Sequence, residues 1–185
     1  MNKINVHLDY KWKNYRDYSR LIKELIGDID FNNKTILDIK CGCGDIIPFI
    51  TSKSDTFRYI GLDSDEYFLN QASKHYPNYI FEKRDYVNDL LNSNFDIIIA
   101  FNALNLKEKD GGMFRRSRIK YMYEHSKYAF VFNMSGNNPQ PENKVSSNIF
   151  YVDSLEILSY CLTLTSKVIF RQNYDNKEFS IIMFK

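Results

Sequence analysis

Short apolar runs alternate with stretches of helical spacing along most of this chain, and that alternation constrains the fold more than any other feature. Thr35–Ile39, Arg58–Leu62, Tyr79–Lys83, Phe95–Ala100 and Tyr128–Asn133 read as strands. Between them, Ile46–Ile50, Asp65–Lys74, Tyr86–Leu91 and Gly112–Ser126 read as helices. Strands that are apolar along their whole length, each followed by a helix, belong to a parallel sheet covered on both faces. Ahead of them, Tyr10–Ile26 places Tyr15, Tyr18, Leu21, Ile22, Leu25 and Ile26 on one helical face, with Gly27 as a stop. After them, Asp153-Ser154-Leu155-Glu156 opens a helix that runs to about Leu164. Lys167–Arg171 and Phe179–Phe184 close the chain as strands. Their connection is too short for a crossover helix, so they pair antiparallel. Ser135–Asn148, with Pro139 and Pro141, is expected to be one long loop. The expected class is α/β: a doubly wound, mostly parallel sheet with one antiparallel strand near the C-terminus and helices on both faces.

Composition narrows the function. The 185 residues suit a single domain, 1–185, with 1–30 as an N-terminal helical cap. Net charge is +2, too balanced for a nucleic-acid-binding stripe, and no apolar run is long enough to span a bilayer. No nucleic-acid partner and no membrane are therefore expected. Three cysteines, two of them one residue apart, argue against a disulfide framework and for a cytoplasmic location. Cys41-Gly42-Cys43 lacks a second pair at ligand spacing, so no metal is expected.

Only seven glycines are present, and two of them, Gly42 and Gly44, sit in the turn after the first strand of the sheet. A strand running through a glycine turn into a helix is a ligand site in doubly wound folds. The ligand is not a dinucleotide of the usual kind: Ile47 stands where the fingerprint needs its last glycine, and Asp45 would repel a pyrophosphate. A phosphate-binding loop fails too, because no Gly-Lys-Ser/Thr follows. Asp38, two residues before the turn, and the carboxylates near it suit a ligand bearing positive charge.

Ile36-Leu37-Asp38-Ile39-Lys40-Cys41-Gly42-Cys43-Gly44 resembles the first motif of the class I S-adenosylmethionine-dependent methyltransferases, usually D-x-G-x-G-x-G. Three further stretches resemble that family's later motifs, in order: Tyr59-Ile60-Gly61-Leu62-Asp63, Phe81-Glu82-Lys83-Arg84-Asp85-Tyr86 and Phe95-Asp96-Ile97-Ile98-Ile99-Ala100-Phe101-Asn102. The resemblance runs over roughly residues 30 to 185 and is closest to small, single-domain bacterial members. It implies a Rossmann-like sheet of seven strands and S-adenosylmethionine as cofactor, with S-adenosylhomocysteine as product. It also implies cofactor-binding roles for Asp38, Lys40, Cys41, Gly42 and Gly44 in the first motif and for Asp63 and Ser64 in the second. Asp85 and Tyr86 carry the role in the third motif, and Asn102 in the fourth. In that scheme Asp63 accepts from the ribose hydroxyls. Asp85 accepts from the adenine amino group, and Tyr86 packs on the ring. Asp38 orders the turn or reaches the cofactor amino group through water. The chain departs from the family at one point: Lys40 replaces the motif's first glycine.

Methyl transfer needs alignment and exclusion of water more than a catalytic side chain. No general base is assigned among His7, His75 and His125, and His125 is expected to cap its helix. Tyr10, Trp12 and Tyr15 are candidates for a lid, and Asn105 for the substrate side. Arg115 and Arg116 could hold a phosphate or carboxylate on the substrate, unless they belong to a solvated helix face. The N-P-P-Y type of motif used on nucleic-acid bases is missing after the fourth strand: Asn102-Ala103-Leu104-Asn105 stands there. The expected activity is methyl transfer to a small-molecule acceptor, anionic or sugar-related. The alternative is a catalytically inactive relative that binds an adenosyl ligand or a partner protein.

Overall fold

A computed structural model of the chain describes residues 15–85, 93–105, 111–144 and 149–185. The elements run α1 (Tyr15–Ile26), β1 (Thr35–Ile39), α2 (Ile47–Thr51), β2 (Arg58–Asp63), α3 (Glu66–His75), β3 (Ile80–Lys83), β4 (Phe95–Ala100), α4 (Gly111–His125), β5 (Ser126–Asn137), β6 (Val152–Asp153), α5 (Ser154–Leu164), β7 (Val168–Arg171) and β8 (Glu178–Phe184). The sheet order is β3-β2-β1-β4-β5-β8-β7, with β6 alongside the end of β5. β1 to β5 are mutually parallel, and β8 is antiparallel to both β5 and β7. The seven-stranded, mostly parallel sheet expected from sequence is thus present, with β6 as a two-residue addition.

Strand alternation sorts the core into two layers. Leu37, Ile39, Leu62, Ile98, Phe130, Phe132 and Met183 pack against Ile119 and Met122 of α4 and Ile157 and Cys161 of α5. The opposite face, with Ile36, Tyr59, Ile97, Ile99, Val131 and Ile182, packs against Ile22, Leu25 and Ile26 of α1 and Ile47 and Ile50 of α2. The starts of β1 and β4 are clamped to each other. Thr35 N and Oγ1 both donate to Asp96 Oδ2 at 2.7 Å, and Asp96 N donates to Thr35 Oγ1 at 3.0 Å. These bonds hold the Asp96 carboxyl below its usual range despite the opposing cost of desolvation.

Helix starts follow the side chains available. Asp65 caps α3 by accepting from Tyr67 N at 2.9 Å. Asp153 caps α5 by accepting from Leu155 N at 2.8 Å and Glu156 N at 3.3 Å. Glu156 does not complete a capping box; it pairs with Arg116 on α4 instead. One expectation needs correction. Ser135–Asn137 is not loop but the end of β5, because Gly136 and Asn137 pair with Val152 and Asp153, and Ser135 pairs with Glu178. The expected helix Tyr86–Leu91 and the first part of the expected Tyr10–Ile26 helix lie outside the described residues.

Candidate functional site

On the face covered by α1 and α2, the strands turn polar toward their carboxyl ends. Ile36 gives way to Asp38 on β1, and Tyr59 to Gly61 and Asp63 on β2. Val131 gives way to Asn133 and Ser135 on β5, and Ile182 is preceded by Ser180 and Glu178 on antiparallel β8. All of these polar side chains are buried. A parallel sheet has one edge where strand carboxyl ends meet helix starts, and here the polar groups collect at that edge.

Over β1 and β2 the edge opens into a cleft. Tyr18, Lys40, Cys41, Gly42, Cys43, Asp45, Asp63, Phe68 and Phe101 line it. The backbone after β1 takes left-handed conformations at Lys40 (φ 63°), Gly42 (φ 55°) and Gly44 (φ 77°), which turn the chain sharply out of the strand. A Cβ built on Gly42 meets nothing within 4 Å, so this glycine presents bare backbone to open space. Gly61 does different work. A Cβ there would lie 2.7 Å from Cys41 Sγ and 2.9 Å from Phe81 Cδ1, so its hydrogen makes room for Cys41 rather than for a ligand.

Asp63 joins the two motifs. Gly42 N donates to its Oδ2 and Asp65 N to its Oδ1, each at 3.0 Å. Each oxygen keeps a further lone pair for another donor. Asp38 lies deeper and accepts from Tyr59 Oη at 2.5 Å. Burial pushes its carboxyl up to about 7; the Tyr59 hydroxyl opposes the shift, while the charges of Asp63 and Asp45 add to it. The Cys41 thiol is driven far above its ordinary range, chiefly by burial and then by the charges of Asp38 and Asp63. It therefore stays protonated and packs as a small apolar group.

Of the residues singled out from sequence, Lys40, Cys41, Gly42 and Asp63 line this cleft. Ser64 and Asp85 are exposed just beyond the ends of β2 and β3, and Arg84 N ties that edge back to Asp63 O at 2.9 Å. Tyr10, Trp12 and Tyr86 lie outside the described residues, and Tyr15 is described only as the first residue of α1.

The other candidates belong to different surroundings. Asn102, left-handed at φ 53°, donates through its backbone N–H to Asn133 Oδ1 at 2.7 Å. Its own Oδ1 accepts from Asn105 Nδ2 at 3.0 Å and Asn133 Nδ2 at 3.1 Å. Asn105 Oδ1 accepts from Ser135 N at 2.7 Å, and Asn133 Nδ2 also donates to Glu178 Oε2 at 3.1 Å. Arg115 is buried rather than part of a solvated face: its Nε donates to Leu104 O at 3.2 Å, and its guanidinium lies 4.8 Å from the Phe150 ring centre. Arg116 is held by Glu156 and lies over Tyr160. Both arginines line a second cavity with Gln140, Phe150 and Val152, and that cavity shares no lining residue with the cleft.

His125 Nδ1 lies 2.9 Å from Tyr121 O at the end of α4 and ties down the last turn, consistent with the expected cap. His75 does the same in α3 with Gln71 O, at 2.8 Å.

Sequence reasoning missed Tyr18, Phe68 and Phe101 in the cleft wall, and Asn133, Ser135 and Glu178 beneath Asn102. Tyr18 stands edge-on to Phe101 at 5.9 Å, bridging α1 to the exit of β4. Its place in the apolar stripe of α1 marked it only as core.

A glycine turn after the first sheet strand, an acid ending the next strand, and an antiparallel strand between β5 and β7 define the architecture of class I methyltransferases. The comparisons agree. Residues 36–118 match a family model described as a methyltransferase domain. A curated relative, "Putative methyltransferase 235L" of Invertebrate iridescent virus 6, is 36% identical over 73 residues, which cover 40% of this chain and 28% of that protein. The magnesium protoporphyrin IX methyltransferase of Synechocystis PCC 6803, crystallised with S-adenosylhomocysteine, aligns with a TM-score of 0.67 at 11% identity. That alignment covers 92% of this chain and 83% of the other. A S-adenosylmethionine-dependent methyltransferase of Clostridium acetobutylicum aligns with a TM-score of 0.63 at 13% identity, over 91% of each chain. At these identities the structural likeness is one of fold. In its domain match and its fold, the chain is similar to the class I S-adenosylmethionine-dependent methyltransferases.

Proposed function

We propose that the chain binds S-adenosylmethionine in the β1–β2 cleft and transfers its methyl group to a small-molecule acceptor, anionic or sugar-related. The observation that carries this reading is Asp63. Its carboxylate is fixed by two backbone N–H groups and lines the cleft with the bare backbone of Gly42. That donor and acceptor set fits a ribose diol: two hydroxyls find two spare carboxylate lone pairs, and no side chain at position 42 stands in the way. When bound, S-adenosylmethionine supplies a methyl group already activated by a positive sulfur. This leaves the chain with holding and shielding. Asp63 orients the ribose, Gly42 allows close backbone approach, and Tyr18, Phe68 and Phe101 supply apolar wall that excludes water. The protonated Cys41 offers no competing nucleophile.

The small-molecule acceptor is supported by the balanced charge and by one structural neighbour, which methylates a porphyrin. Among the described residues no helix is long and apolar enough to cross a membrane. The rival reading, an adenosyl-binding relative without activity, is favoured by one observation: Lys40 stands in the left-handed position of the turn.

Isothermal titration with S-adenosylhomocysteine tests the site. Binding should be lost by at least about 100-fold in Asp63→Ala, because the variant removes both diol acceptors. Unchanged binding in that variant would overturn the placement. Transfer of labelled methyl from S-adenosylmethionine to a panel of small acids and sugars then separates an enzyme from a silent binder.

A further inference from the structure

The start of β8 holds a polar cluster that lies outside the cleft lining. Glu178 and Ser180 share the sheet face covered by α1, and across the strand pair they stand beside Ser135 and Asn133 of β5. Glu178 Oε2 accepts from Asn133 Nδ2 at 3.1 Å. Its Oε1 is buried, and so are Ser180 Oγ and the hydroxyl oxygen of Tyr174. Tyr174 comes from the connection between β7 and β8. Burial pushes its hydroxyl far above the ordinary range; the Glu178 charge adds to the shift, and the neighbouring Ser180 opposes it. The two hydroxyls are thus neighbours of each other and of Glu178, without the geometry of a hydrogen bond. Among the described residues neither hydroxyl has a hydrogen-bond partner. The connection itself is held firmly: Asn137 Nδ2 donates to Asp175 O at 3.1 Å, Gly136 N to Lys177 O at 2.8 Å, and Arg20 of α1 to Asn173 O at 3.2 Å.

Buried hydroxyls are seldom left without a partner. Two of them beside a carboxylate call for one group that serves all three. An uncharged hydroxyl oxygen does so: a hydrogen goes to Glu178, and its two lone pairs accept from Tyr174 and Ser180. An anion has no hydrogen to give and meets the carboxylate charge at short range. A metal cation engages the carboxylate but leaves the Tyr174 and Ser180 hydrogens without an acceptor. We propose that Tyr174, Glu178 and Ser180 form a binding site for one uncharged hydroxyl oxygen, supplied by a water molecule or by a hydroxyl of the acceptor. Three partners are the usual coordination of an internal water. The cluster lies on the same edge and face of the sheet as the cleft, three strand spacings from β1, or about 15 Å. The last step alone rests on the proposed methyl transfer: an acceptor lying along this edge is chosen for a sugar-like hydroxyl over a carboxylate or phosphate.

Stability without added ligand is the first test. Tyr174→Phe and Ser180→Ala each remove one hydroxyl and little else. If both hydroxyls bond to a held oxygen, each variant should unfold at a lower urea concentration than the wild type. If they bond to nothing, their removal relieves a buried polar group; a midpoint that stays or rises in either variant overturns the proposal. A crystal structure of the wild type should show one oxygen about 2.6–3.0 Å from Tyr174 Oη, Ser180 Oγ and the Glu178 carboxylate. An empty position or an ion there overturns it. Crystals soaked with methyl α-D-glucopyranoside separate the two sources: a sugar hydroxyl in that place assigns the oxygen to the acceptor, and a retained water assigns it to solvent. In a parallel soak with glucuronate, a carboxylate seated there overturns the proposal. None of these measurements needs the adenosyl cleft to be filled, so their failure is distinct from failure of the cofactor reading, which the Asp63→Ala titration reports.

Discussion

The carboxyl edge of the sheet has two halves built from the same kind of material. At β1 and β2 the polar groups are carboxylates and bare backbone, and they line a cleft. At β4, β5 and β8 they are mainly amides, and they hydrogen-bond to one another: Asn102, Asn105, Asn133, Ser135 and Glu178 form a connected buried network. Each half turns its chain with a left-handed residue other than glycine, Lys40 in the first and Asn102 in the second. The difference separates recognition from framework. Groups that spend their hydrogen bonds internally hold β4 and β5 in register, while Asp63 is positioned by backbone and keeps capacity for a ligand.

The sharpest break of this comparison is at Asn133. Asn133→Leu strips the acceptor from Asn102 N and a donor from buried Glu178, leaving polar groups without a partner they now have. A loss of about 3–5 kcal/mol in unfolding free energy is expected, read by urea denaturation. Any protein that remains folded should still bind the adenosyl ligand. A variant of native stability would show the network to be incidental.

The next effect lies in the open half and is a pH dependence. Asp38 has its carboxyl raised to about 7 by burial, against an ordinary 3.8. The unfolded chain therefore releases this proton near pH 4, whereas the folded chain keeps it until about pH 7. Across that window the folded state binds more protons, so this group's contribution to stability is full below pH 4 and falls as pH rises, levelling off above 7. Tyr59, Asp63 and Asp45 are the titratable groups that act on it, and Asp38 in turn raises Cys41 and Tyr59. Denaturation at pH 5 and pH 8 should show wild type losing stability over this range more steeply than Asp38→Asn. Parallel curves would show that Asp38 does not carry the dependence.

The open half was legible in the sequence because its parts are contiguous. Asp38 to Gly44 is one stretch, and Asp63 ends a recognisable strand. The closed half was not, because its members come from positions 102 to 178 and meet only through strand order and side-chain parity. Ser135–Asn137 shows the difficulty. A run of Ser, Gly and Asn reads as loop by composition, yet its backbone partners on β6 and β8 make it strand. An aromatic residue misled in another way: Tyr18 carries the pattern of core, and only its packing against Phe101 places it on the cleft wall. The helix signal leaves Arg115 between a substrate contact and a solvated face, whereas Leu104 O and Phe150 draw it inside.

The smallest effect distinguishes the two left-handed residues directly. Lysine has no local hydrogen bond to offset a left-handed backbone, a conformation that costs an ordinary residue roughly 1–2 kcal/mol. Lys40→Gly removes that cost and loses part of it to the greater freedom of glycine in the unfolded chain, for a net gain of about 0.5–1 kcal/mol. Asparagine visits this region more readily, and Asn102 adds two accepted hydrogen bonds through its side chain. Asn102→Gly should therefore destabilise by about 1 kcal/mol, since those bonds outweigh the relief of strain. Thermal unfolding of the two variants should move in opposite directions. If both are stabilised, the Asn102 side chain contributes less than its backbone strain; if both are destabilised, Lys40 packs in the cleft wall more than its conformation costs.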